Sequence, residues 1–241
     1  MKILSIGNSF SQDAQRYISK IAAARGEELY TKNLYIGGCS LERHHSNMLT
    51  DSHDYTEEIG GVSTGRPISI KEALSEGGWD VITLQQASHF STRYDTYQPY
   101  LNELAAYVRE LAPEAKLYIH ETWFYEDGSE KLAMMKYERH EDMLADIKAA
   151  YANAAEEIKA DGIIRSGEML GLMRSRGVEK IHRDTFHASL GVSRYAIGLL
   201  WYATLTGRDV LNDTFSDTDE PMTDDEMRIA RECAQEISDA N

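Results

Sequence analysis

Of 241 residues only two are cysteine, four are proline, and basic side chains are few: 25 Lys and Arg against 40 Asp and Glu, for a net charge of −15. Each scarcity excludes something. Cys39 and Cys233 are too few for a disulfide framework and lack metal-ligand spacing. A chain without clustered Lys and Arg is a poor ligand for nucleic acid or for an anionic membrane surface. No apolar run approaches the roughly 20 residues of a membrane span. No basic, apolar and cleavable leader precedes the first apolar run, so the expected location is the cytoplasm, with a trimmed secreted form left open. The rarity of proline and the lack of a Pro/Gly/Ser-rich linker predict one domain over 1–241, long enough to bury a substantial core.

What is present alternates. Strand-like runs fall at Lys2–Gly7, Leu29–Ile36, Asp80–Gln85, Lys116–Trp123 and Gly162–Arg165. Between and after them lie helical patterns at Asp13–Arg25, Gln98–Leu111, Arg139–Ala160, Gly191–Thr206 and Thr223–Ala240, the last opening with the capping box Thr223-Asp-Asp-Glu226. Strand–helix alternation predicts a three-layer α/β/α sandwich with a five-stranded parallel sheet. In such sheets sites form beyond the carboxyl ends of the strands. One stretch departs from the alternation: residues 42–68 are polar, hold His44, His45 and His53, and contain Gly60-Gly61 between Tyr55–Ile59 and Val62–Thr64, the pattern of a small hairpin. It is either a functional insertion or a decorative one. Ser69-Ile-Lys-Glu72 then restarts a helix.

The turns after the strands carry the chemistry. Met1 to Ser11 reads as a buried strand broken by Gly7 and Asn8, with Ser9 at its end and a helix following, where free N–H groups favour negative charge. Ser9 is thus a candidate nucleophile; Ser11 competes with it as the helix cap. The sequence is not Gly-x-Ser-x-Gly. Far along the chain, Asp184 and His187 stand three apart, a spacing at which two side chains point the same way, so His187 could act as the base and Asp184 could orient it. Gly37-Gly38 lets a backbone N–H approach an oxyanion, and Gln85 and Gln86 end the third strand with amides that could donate to one.

Together these places resemble the SGNH (GDSL-like) hydrolase superfamily over most of the chain, in the same order. Gly7-Asn-Ser-Phe-Ser11 resembles its first block and implies Ser9 as nucleophile; Asn33 through Gly38 resembles the second and implies the Gly38 N–H in the oxyanion hole. Asp184-x-x-His187 resembles the last block and implies the base with its orienting acid. Leu84-Gln-Gln-Ala-Ser88, Thr122-Trp123 and the His-containing stretch after Gly38 resemble an uncharacterised bacterial group usually placed with carbohydrate esterases. The third block departs from the usual Gly-x-Asn-Asp; the assignment is Gln85, with Gln86 and His89 as alternatives. Asn8 replaces the usual Asp before the serine. The resemblance implies a serine esterase of small acyl esters, O-acetylated carbohydrate above all, working through an acyl-enzyme with no cofactor and no metal. The other readings are a hydrolase of another ester or thioester, and a non-catalytic carbohydrate-binding protein of the same fold. Trp123 could stack on a sugar or pack in the core, and His44 and His45 could line the mouth of the site or lie on the surface. His120 and His182 carry no assignment, and nothing fixes the oligomeric state.

Overall fold

The computed structural model describes residues 1–240. The strands are β1 (Lys2–Gly7), β2 (Tyr30–Tyr35), β3 (Tyr55–Ile59), β4 (Val62–Ile68), β5 (Val81–Leu84), β6 (Lys116–Glu121) and β7 (Gly162–Arg165). They form one sheet in the order β4-β3-β2-β1-β5-β6-β7. The helices are α1 (Ser9–Ala24), α2 (Leu41–Thr50), α3 (Ile70–Ser75), α4 (Tyr100–Leu111), α5 (Glu130–Met134), α6 (His140–Glu157), α7 (Ser166–Ser175), α8 (Val192–Thr206) and α9 (Asp224–Asp239). Among the described residues no helix is long and apolar enough to cross a membrane.

The five expected strands are the parallel core: β1 pairs with β2 and β5, β5 with β6, and β6 with β7, all parallel. Residues Ile3 to Gly7 of β1 are buried, as a strand covered on both faces must be. The chain runs from β1 one way to β2 and then back across to β5. Right-handed crossovers therefore send α1 to one face and α4 and α6 to the other. Helix α8 returns to pack on α1, and α9 packs on α8. The reversal of strand order lies between β1 and β5, the place where open sheets form their crevice.

The sheet has seven strands, not five, and is mixed. The expected hairpin is there, but it joins the sheet: β3 runs antiparallel to β2, and β4 antiparallel to β3. Its polar sequence hid this. Glu57 and Glu58 of β3 are buried, one paired with Lys32 at 2.6 Å and the other accepting from Asn33 Nδ2 at 2.8 Å, both partners on β2. Carboxylates matched to a neighbouring strand replace the apolar alternation by which a strand is usually recognised. Residues 42–68 are thus not decoration: they supply α2, two strands and the buried residues His44, Tyr55 and Ile68.

Helix α1 begins at Ser9 rather than near Asp13. Asn8 caps it: its Oδ1 accepts the Phe10 N–H at 3.0 Å, and Ser11 Oγ accepts the Asn8 N–H at 3.0 Å. Gly7 is needed for that closeness, because a Cβ there would stand 2.1 Å from Ser11 Oγ.

At the end of β6, Glu121 Oε1 accepts the Glu168 N–H of α7 at 2.9 Å. Burial pushes its pKa up from 4.5 to about 7, against that hydrogen bond. The folded state therefore holds a proton that the unfolded chain releases at lower pH, and the stability linked to it is complete below 4.5 and lost as pH rises through 7. Glu121→Gln should remove this dependence. Urea midpoints taken at about pH 5 and about pH 8 should shift in the variant's favour at the higher pH; a gap that does not move with pH would contradict the assignment.

Candidate active site

Three side chains from the two ends of the chain meet beyond the carboxyl edge of β1. Ser9 Oγ lies 2.9 Å from His187 Nε2, and His187 Nδ1 lies 2.7 Å from Asp184 Oδ2. Asp184 Oδ1 also accepts the His187 backbone N–H at 2.9 Å. Asp184 is thus occupied at both oxygens, and with Nδ1–H facing it, the lone pair at Nε2 faces the serine. Burial raises the Asp184 pKa, but the hydrogen bonds from the His187 ring and backbone outweigh it, so its carboxyl ends below its usual range.

The loop carrying Asp184 and His187 is held from several sides. The Arg183 N–H donates to His187 O at 3.0 Å. The Glu126 N–H donates to Thr185 O at 2.8 Å, and Trp123 Nε1–H to Phe186 O at 2.8 Å. Thr185, between acid and base, has a φ of 78°. That is a costly conformation for a β-branched residue, and strain of this kind persists only where surroundings over-determine it. The strongest tie is Asp13 of α1, fully buried, whose carboxylate accepts from Arg183 Nη1 at 2.9 and 3.0 Å, from Arg194 Nε at 2.8 Å and from the Ala188 N–H at 3.1 Å. Nothing in the sequence pattern singled out Asp13, Arg183 or Arg194; each reads there as one more charge on a helix or loop.

A cavity of about 360 Å³ opens over Ser9. Gly37 and Gly38 form one wall, and Gly38 has a φ of 63°, which favours glycine. Tyr35, Phe10, Tyr125 and Phe186 supply rings, and Ser88, His89 and Lys131 polar groups. Ser88 Oγ lies 2.9 Å from Tyr125 OH. Sequence reasoning gave Ser88 no role of its own and missed Tyr125, Lys131 and Phe186, which come from loops and a short helix without periodicity. Ser9 is the first residue of α1, so its N–H is one of the donors a helix leaves free. Ser11 is fully buried, with its hydroxyl 2.8 Å from both Asn8 O and Asn33 Oδ1 as acceptors for its one proton, which removes it as a rival for the cavity.

The third expected oxyanion donor is elsewhere. Gln85 sits behind Asn8, outside the cavity lining, with its Nε2 donating to Asn8 Oδ1 at 2.7 Å and its Oε1 2.7 Å from His120 Nδ1. Its amide is taken up by these two partners and braces the serine turn rather than facing a substrate. Gln86 is likewise committed. Its Oε1 accepts the Leu41 and Ala87 N–H groups, both at 2.9 Å, and its Nε2 donates to Thr96 O at 3.1 Å. Of the three candidates only His89 lines the cavity; burial and the Lys131 charge hold its pKa below the usual value.

The other aromatic and histidine candidates resolve as structure. Trp123 is fully buried against Phe10, ring centroids 4.2 Å apart, so it is core rather than a sugar platform. His44 bonds Tyr55 OH at 2.8 Å through Nδ1 and is kept neutral by burial, which takes its pKa to about 3; His45 pairs with Glu103 at 2.6 Å. Neither lines the mouth. His53 lies 3.3 Å from Glu72, and His182 holds Phe124 O at 3.0 Å. Asp127, His140 and Glu141 cluster within 4.8 Å. There Asp127 takes the His140 N–H and ring, each at 2.7 Å, which serves as a cap for α6.

The order of strands and the crevice between β1 and β5 give an SGNH hydrolase-like fold. A candidate SGNH hydrolase from Slackia heliotrinireducens superposes with a TM-score of 0.61 at 24% identity, covering 85% of this chain and 98% of that one. An acetylxylan esterase from Geobacillus stearothermophilus does so with 0.54 at 13% identity, covering 83% and 93%. The chain itself belongs to the DUF4886 family, a domain of unknown function, whose pattern matches residues 2–237. A solved DUF4886 family protein from Bacteroides uniformis is 32% identical, with a TM-score of 0.89 over 98% of this chain and 93% of that one. No curated protein matches this chain.

The placement of Gln85 has a measurable consequence. Gln85→Ala leaves Asn8 Oδ1 short of one donor and the His120 ring N–H without an acceptor in a fully buried place. Stability should fall by about 1–3 kcal/mol in urea denaturation. An unchanged midpoint would mean that Gln85 braces nothing.

Proposed function

We propose that this protein is a serine esterase that cleaves small acyl esters, with an O-acetylated carbohydrate as the preferred substrate. The observation that carries the reading is the continuous hydrogen-bonded chain Ser9–His187–Asp184 opening on a cavity of about 360 Å³. In the reaction Ser9 Oγ attacks the ester carbonyl while its proton passes to His187 Nε2. Asp184 keeps the other ring proton at Nδ1 and stabilises the imidazolium without itself taking the proton. Negative charge developing on the carbonyl oxygen is met by the N–H groups of Ser9 and Gly38, aided by the positive end of α1. The imidazolium gives its proton to the leaving alcohol, and an acyl-enzyme remains. Water enters, loses a proton to Nε2, and attacks the acyl carbon; collapse releases the acid as the imidazolium returns that proton to Ser9 Oγ.

A small volume favours a short acyl group, and the rings of Tyr35, Tyr125 and Phe186 suit the faces of a sugar. The fold shared with an acetylxylan esterase is consistent with that substrate class.

A chromogenic acetyl ester and a panel of acetylated sugars, with released acetate measured, provide the test. Ser9→Ala should lower kcat by at least about 10⁴-fold, and Asp184→Asn by about 10²- to 10⁴-fold through the wrong imidazole tautomer, both with the fold intact by circular dichroism. Wild-type rates from Ser9→Ala would rule out this nucleophile.

A further inference from the structure

Lys131 of α5 is the only Lys or Arg among the residues lining the cavity. Its ammonium lies 4.1 Å from the centroid of the Phe186 ring, and that ring lies against the His187 imidazole, tilted by 37°, at 3.8 Å between centroids. One aromatic ring therefore separates a cation from the catalytic base. Other charges near the site have partners. Asp184 is occupied by His187, and Arg183 by Asp13. The Lys131 ammonium has no ion pair and no hydrogen bond among the described residues; it rests on the face of Phe186, with His89 the titratable neighbour that feels its charge. On a protein of net charge −15, which repels anions at long range, an unmatched cation at the mouth of the site is a local exception.

The reaction geometry says which part of a substrate would meet it. The oxyanion side is defined by the Ser9 and Gly38 N–H groups, and the leaving oxygen must lie by His187 Nε2 to receive its proton. Phe186 and Lys131 extend from the His187 side, so they face the alcohol moiety, not the acyl group. A single ammonium matches a single carboxylate; a phosphate monoester, with nearly two charges, would leave one unmatched.

Building on the esterase reading, we propose that the preferred substrates are acyl esters whose alcohol carries a carboxylate, such as an O-acetylated uronic acid, and that Lys131 is the residue that selects them. Lys131 is exposed, so replacing it leaves the core untouched.

The experiment compares the O-acetylated methyl glycosides of glucuronic acid and of glucose, with acetate release read as kcat/KM. The wild type should favour the glucuronide by about five- to tenfold, the size of one partly exposed charge-assisted contact. Lys131→Met should bring the ratio close to one, mainly through KM, Lys131→Arg should keep it, and Lys131→Glu should reverse it. A wild-type ratio near one, or one that Lys131→Met leaves unchanged, overturns the proposal while the esterase reading stands. If neither sugar ester nor p-nitrophenyl acetate is hydrolysed, the esterase reading fails first. Calorimetric binding of glucuronate against glucose to Ser9→Ala protein then decides the charge preference alone: tighter glucuronate that needs Lys131 supports it, and equal binding overturns it.

Discussion

Everything at this site depends on one buried carboxylate. Asp13 lies one turn into α1 from Ser9, and it draws in two arginines and a backbone N–H from a segment 170 to 181 positions away. Arg194 extends the tie, reaching Asp219 at 3.0 Å, which in turn takes Arg16 of α1 at 2.8 Å. Such a cluster is not a large source of stability, because desolvating the charges costs about what their attraction returns. Its value is that it tolerates few alternatives. Removing an arginine leaves the fully buried Asp13 carboxylate short of a partner, at about 3–5 kcal/mol. A serine at one end of the chain and a histidine at the other are thus held at hydrogen-bond distance by an interaction that joins the helix of the first to the loop of the second. The left-handed Thr185 lies inside the same constrained loop, where the surrounding bonds can sustain its strain.

Sequence could show the parallel core and the pairing of Asp184 with His187 because both leave short-range signatures. A run such as Ile3 to Ile6 announces a buried strand, and Asp184 and His187 are close enough in sequence for their spacing to mean something. It could not show β3 and β4 as sheet members, since the burial of Glu57 and Glu58 rests on partners that include Lys32, Asn33 and Gln12 on other elements. The role of Gln85 shifted for a related reason. Its position at the end of β5 was legible, but whether its amide points at a substrate or at Asn8 depends on side chains that meet only in the folded protein. Asp13 is the extreme case, a residue that looks like surface helix and is fully buried.

The chain behind Asn8 can be deduced link by link from one backbone donor. The Phe10 N–H must find an acceptor, so the side chain of Asn8 presents Oδ1. Gln85 then faces Oδ1 with its amide nitrogen, which turns its own oxygen towards His120. That oxygen requires a proton on His120 Nδ1, leaving Nε2 to accept from Ser166 Oγ at 3.1 Å. Burial lowers the His120 pKa to about 3, so the ring is neutral and every member of the relay is uncharged. The consequence reaches the chemistry. An aspartate at position 8 would set a negative charge beside the place where the proposed oxyanion develops, whereas Asn8, held by neutral partners, caps α1 without opposing it. Its Nδ2 donates to Cys39 O at 3.2 Å, which ties the serine turn to the Gly37-Gly38 wall. The same amide therefore fixes the relative placement of the two backbone N–H groups on which transition-state stabilisation would rest, and a rigid, uncharged brace of this kind is what preorganised donors require.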